Sequence, residues 1–109
     1  MMMRESLEKM LAGGRDDALL RFSLGTACMK DGDAASAAIH FEAAVAHDPA
    51  YSAAWKQLGQ AHAAAGREAE AAEAWTRGIA AAESRGDIQA AKEMRVFLKR
   101  LSKRGGKAP

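Results

Sequence analysis

The chain has 109 residues, enough for one domain with a modest core, and a formal net charge of +2, too small by itself to imply a nucleic-acid binder. A quarter of the residues are alanine and only six are aromatic, while Val, Ile, Tyr and Thr are scarce; the balance favours closely packed helices over a sheet. The single cysteine, Cys28, excludes an internal disulfide and fits a reducing compartment. The N-terminus lacks an apolar signal core and no stretch approaches membrane-spanning length, so a cytoplasmic protein without membrane insertion is expected.

Gly and Asp punctuate the chain at helix lengths. A first short helix over 4–12 carries Leu7, Met10 and Leu11 on one face and ends at Gly13-Gly14. Asp16 or Asp17 caps a second helix that runs to about Lys30 and stops at Asp31-Gly32. Asp33 caps a third, which the Asp48-Pro49 step ends after His47, because the residue before proline is pushed out of the helical region. A fourth covers about Tyr51 to Ala65 and ends at Gly66. A fifth starts near Glu68 and runs longer, to Arg85-Gly86, since Glu83 stands where Pro49 stood. Asp87 caps a sixth to about Ser102, giving a terminal helix over 87–103, and 104–109 reads as a disordered tail. Six helices joined by short turns are antiparallel neighbours.

Residues 18–51 and 52–85 are two copies of one pattern, offset by 34. Leu24-Gly25 recurs as Leu58-Gly59, Gly32 as Gly66, Ala37-Ala38 as Ala71-Ala72, and Phe41 as Trp75. A period in this range signals stacked repeats, each a helical hairpin, with the first and sixth helices as end caps. Gly25 and Gly59 stand mid-helix, where glycine costs about 1 kcal/mol relative to alanine. Something must offset that cost. Small Ala37 and Ala71 on the partner helices predict a close crossing, with Leu24, Leu58, Phe41 and Trp75 filling the space on either side.

These residues resemble the tetratricopeptide repeat (TPR) signature. The second copy reads Trp55-x-x-Leu58-Gly59-x-x-His62, then Ala71-x-x-x-Trp75. The first reads Arg21-x-x-Leu24-Gly25-x-x-Cys28, then Ala37-x-x-x-Phe41 and Pro49. The resemblance implies an all-α fold over 1–109, with antiparallel hairpins stacked as a short right-handed superhelix of six helices including both caps. Where Arg21 replaces a large apolar residue, its stem is expected to lie against the first helix with its charge in water.

The resemblance also implies a non-enzymatic interaction module whose first helix in each hairpin lines a concave groove for a peptide or partner helix. Candidate groove residues are Phe22, Ser23, Thr26, Met29 and Lys30 in the first copy, Lys56, Gln57, Gln60, Ala63 and Ala64 in the second, and Tyr51 at the junction. Some TPR domains clamp a C-terminal carboxylate through paired Lys and Asn; this chain has no asparagine, so that mode does not carry over.

The remaining polar residues do not assemble into a catalytic or metal site. Cys28 and His62 hold equivalent places one repeat apart, and neighbouring helices lie about 8–10 Å apart, which argues for two packed residues rather than a nucleophile and its base. His40 and His47 are two turns apart on one helix, about 10 Å, and cannot share a metal unaided. No cofactor is expected. On the last helix, Ala91, Met94, Leu98 and Leu101 recur at helical spacing and should pack inward, leaving Lys92, Arg95, Lys99 and Lys103 as an outward basic patch. The expected partner is a protein or peptide. A self-associating domain, such as a weak homodimer, and an acidic-partner or nucleic-acid binder acting through the basic helix are the alternatives.

Overall fold

The computed structural model describes residues 2–105, with side chains from Met3 to Arg104. Six α-helices follow in order: α1 (Met2–Ala12), α2 (Ala18–Lys30), α3 (Ala34–His47), α4 (Ser52–Ala64), α5 (Glu68–Arg85) and α6 (Ile88–Gly105). Sequential helices pack on one another, which draws the molecule out to 49 × 30 × 18 Å. Helix starts follow the aspartates. Asp17, rather than Asp16, caps α2 by accepting the Leu20 N–H at 2.8 Å. Asp33 accepts from Ser36 N at 3.1 Å, and Asp87 from Ala90 N at 3.2 Å. Such caps satisfy N–H groups that the first helical turn leaves without intrahelical partners. α5 ends at Gly86, whose left-handed φ of 78° suits glycine.

The core runs along the stack rather than gathering at one centre. Leu24, Ala27, Ala37 and Phe41 bury the first hairpin; Leu58, Ala61, Ala71 and Trp75 bury the second. The mid-helix glycines are explained by what lies on them. A Cβ on Gly25 would stand 2.6 Å from the Phe41 ring, and one on Gly59 would overlap the Trp75 indole. The close approach is therefore between glycine and an aromatic face. Ala37 and Ala71 are fully buried, but the aromatics sit on the glycines instead of beside them. A third such contact joins α5 to α6: a Cβ on Gly78 would meet Met94 Sδ at 2.5 Å and Trp55 Cβ at 2.6 Å.

Several local expectations need correction. Arg104 and Gly105 belong to α6 rather than to a tail, and Arg104 pairs with Glu68 at 2.6 Å; residues 106–109 lie outside the described residues. Met10 is 45% exposed although Leu7 and Leu11 on the same helix are half-buried. Arg21 does not lie on α1: its guanidinium reaches Asp16 at 2.8 Å and His40 Nδ1 at 3.0 Å. An ion pair with a short-range carboxylate is available there, so the charge does not need bulk water. His47 Nε2 joins the same Asp16 at 3.0 Å, and these two partners, Arg21 first, hold that carboxyl well below the usual range.

Candidate binding groove

The helix period sorts the first helices of the two hairpins in the same way. Phe22, Thr26 and Met29 share a face of α2, and Lys56, Gln60 and Ala63 share the corresponding face of α4. All six are half-buried. Ser23 and Gln57 sit beside them, also half-buried, while Lys30 and Ala64 are exposed at the helix ends.

The structure divides these residues into two groups. Phe22 stacks on Tyr51 with ring centroids 5.0 Å apart and on Phe41 at 5.6 Å. This aromatic cluster ties α2 to the start of α4, and Thr26 is turned onto its own helix, its hydroxyl donating to the Phe22 carbonyl at 3.0 Å. Lys56, Gln60 and Ala63 instead face α6 across an open groove. One part, about 360 Å³, is lined by Lys56, Gln60, Glu93, Val96, Phe97 and Arg100. The adjoining part, about 300 Å³, adds Ala63, Trp75, Leu101 and Arg104.

The α6 side of this groove was not legible as a site. The terminal helix, expected only as a cap, packs on α5 much as α4 packs on α3, and so supplies the other wall of the groove. Phe97 rests on Trp75 with centroids 5.2 Å apart. Val96 is 45% exposed. Lys56 Nζ meets Glu93 Oε1 at 2.7 Å across the α4–α6 gap, and this lysine, with Gln89, holds the Glu93 carboxyl below its ordinary value. The signal that could have found these residues is the cap itself: Asp87 starts α6 as Asp17 starts α2, which fixes the faces of the helix.

Lys92, Arg95, Lys99 and Lys103 are all exposed. Arg95 pairs with Glu83, the residue standing where the first repeat has Pro49. Ala91 and Met94 are buried, and Leu98 and Leu101 half-buried.

Cys28 is fully buried, and burial pushes its thiol pKa up. No hydrogen bond joins it to His62 among the described residues, and His62 Nδ1 has no partner. The described residues hold no group of three His, Cys, Asp or Glu side chains able to hold a metal ion.

Comparison with known proteins places this arrangement. No family model matches the chain. It is 55% identical over 102 residues to TPR repeat-containing protein PA0015 of Pseudomonas aeruginosa, covering 94% of this chain and 97% of that protein. The chain belongs to the tetratricopeptide repeat family. The solution structure of protein BPP2914 from Bordetella parapertussis superposes with a TM-score of 0.82 at 46% identity, covering 96% of this chain and 91% of that one. The crystal structure of MamA gives a TM-score of 0.68 at 22% identity, covering 95% of this chain and 67% of that one; at that identity the likeness concerns the TPR fold alone. TPR domains are in general protein-interaction modules. No helix among the described residues is long and apolar enough to cross a membrane.

Proposed function

We propose that this TPR chain is a non-enzymatic adaptor that holds a peptide or partner helix in the groove between α4 and α6, continued by α2. One observation carries the reading: Val96 and Phe97 form an apolar floor open to solvent, with Arg100 at its edge and Gln60 and Lys56 opposite. An apolar surface with a few placed polar groups is what peptide recognition requires. Arg100 takes part in none of the ion pairs among the described residues, and the basic face of α6 continues beside it, so an acidic segment with apolar anchors is favoured. The buried free thiol suits a reducing cytoplasm.

The test is a lysate pull-down comparing wild type with Gln60→Glu/Val96→Glu. Both positions are at the surface of the groove, so the fold is kept. Phe22 is left unaltered because it packs on Phe41 and Tyr51. Loss of specific partners supports the groove; identical partner lists from two folded proteins refute it.

Self-association is the second reading, favoured by α1. Met3 and Met10 stand one repeat before Ala37 and Ala44, which are buried, yet they are 59% and 45% exposed. Sedimentation showing a monomer at high concentration disposes of it.

A further inference from the structure

The groove between α4 and α6 is two adjoining cavities, and Gln60, Phe97 and Arg100 border both of them. The first, about 360 Å³, reaches to Lys56 and Glu93; the second, about 300 Å³, reaches to Ala63 and Arg104. From one to the other the lining moves from 56–60 to 60–63 on α4 and from 93–100 to 97–104 on α6. That is one helical turn on each wall, about 5–6 Å at roughly 1.5 Å per residue. Neither cavity includes a residue of α2, so the two follow the α4–α6 seam instead of crossing the stack.

The lining narrows what fits. Val96 and Phe97 make the first cavity apolar, and Phe97, Trp75 and Leu101 the second, which suits two apolar side chains one turn apart. The border between them is positive. Arg100 joins none of the ion pairs among the described residues, so a carboxylate seated between the two anchors would find a free guanidinium. Amides are scarce. Gln60 carries the only side-chain amide among the described residues that line the cavities, and the chain has no asparagine. An extended segment lying here would leave most of its backbone N–H and C=O groups unmatched wherever the groove buries them, whereas a helix bonds its own backbone. A strand and a helix both place side chains at this spacing, two residues apart in the strand and four in the helix. They differ in what lies between. The middle residue of the strand points to the opposite face, away from Arg100. In the helix, positions i+1 and i+3 flank the i, i+4 pair at mid-height, one toward each wall.

We infer that the occupant of this groove is an acidic amphipathic helix of a partner protein, lying along the α4–α6 seam. Apolar residues at i and i+4 enter the two cavities, and a carboxylate at i+1 or i+3 meets Arg100. The assignment rests on the adaptor groove proposed above and fixes the form and charge of what it holds. A second copy of the chain suits the groove less well. Its α1 has Leu7, Glu8 and Leu11 at the required spacing, but both leucines are already half-buried in their own molecule.

The test uses the full chain at low salt and labelled synthetic peptides of equal length. The reference peptide is an alanine-rich helix with leucines at i and i+4 and glutamates at i+1 and i+3. Its variants place proline between the leucines, replace glutamate by lysine, or move the leucines to i and i+2. Fluorescence anisotropy should show saturable binding of the reference peptide, and binding weaker by about tenfold or more for each variant. Arg100→Glu, an exposed change, should weaken the reference peptide about tenfold and strengthen the lysine peptide. The reference peptide, isotope-labelled in the complex, should show helical carbon shifts. No saturable binding of it up to about 1 mM overturns the inference, while the lysate comparison still decides the groove. Equal binding of the proline peptide, or of the i, i+2 peptide, overturns the helix and leaves the groove standing. Binding of the reference peptide that is unchanged in Gln60→Glu/Val96→Glu puts it elsewhere on the chain, and overturns both. Sedimentation in which wild type self-associates and that variant does not would give the groove to a second copy, and overturns the partner helix.

Discussion

The Trp75 indole lies on Gly59. Its Nε1 donates to the Lys56 carbonyl at 3.1 Å, one turn before the glycine, so the ring is both pressed onto and pinned to α4. The first repeat builds the same contact from Phe41 and Gly25, without the hydrogen bond. The glycine is therefore kept for the volume it leaves to an aromatic ring, not for backbone freedom.

Gly59→Ala tests this by sign. In an exposed helix the change gains about 1 kcal/mol. Here the added methyl overlaps the indole, and overpacking of this kind typically costs about 1–3 kcal/mol, so urea melts should show a net loss. Gly59→Leu should not fold cooperatively. Combining Gly59→Ala with Trp75→Leu should recover part of the first loss, because the ring that the methyl strikes is gone. A Gly59→Ala variant more stable than wild type would refute the contact.

The repeat, the hairpins and their helix ends were legible because each depends on local chemistry: Asp caps, glycine stops and the Leu-Gly spacing. What was not legible depends on packing between elements distant in sequence. Gly78 is explained by the approach of Met94 from α6 and of Trp55 from α4 together. Arg21 is long enough to reach α1, but a cap-side aspartate and a histidine on α3 hold it instead. The residues on α4 face the groove, but Phe22 and Tyr51 are spent on each other, and the facing wall comes from a helix whose register shifts after Gly86. Neither fact is written in a single helix's periodicity.

Asp87 gives a pH dependence. Its carboxylate accepts the Ser52 hydroxyl at 2.7 Å and the Ala90 N–H, and these bonds, Ser52 first, hold its pKa below the ordinary 3.8. A depressed folded-state value contributes stability that is present above the unfolded value and lost as pH falls through the folded one. Asp87→Asn should therefore be less stable than wild type at neutral pH. The difference should shrink in thermal melts taken below about pH 4, as the wild-type carboxyl protonates. A difference that stays constant down to pH 2 would assign the effect to geometry alone.

Cys28 should report opening of the first hairpin. The thiol is fully buried and burial raises its pKa, so both access and thiolate fraction are low. Reaction with a disulfide reagent should be slower in the native protein than in urea by on the order of a thousandfold or more, and should track global stability across destabilised variants. Cys28→Ser should cost about 1–3 kcal/mol, since the hydroxyl would enter a site lined for sulfur. Rapid native labelling would mean that α2 and α3 separate locally.

Met94 decides whether α6 is a detachable cap or part of the core. Its side chain is fully buried, with its sulfur against Gly78 and close to Trp55, so one residue joins α6, α5 and α4. Met94→Ala should leave a cavity at that junction and cost about 2–5 kcal/mol. Fluorescence of the two tryptophans reports the second hairpin, and amide exchange reports α6. If the helix is integral, both should shift together toward lower urea, because the cavity is shared by all three helices. If α6 instead frays alone, its amides should lose protection in Met94→Ala while the fluorescence midpoint stays where it was. The groove wall formed by Val96, Phe97 and Arg100 would then be a mobile element rather than a fixed one.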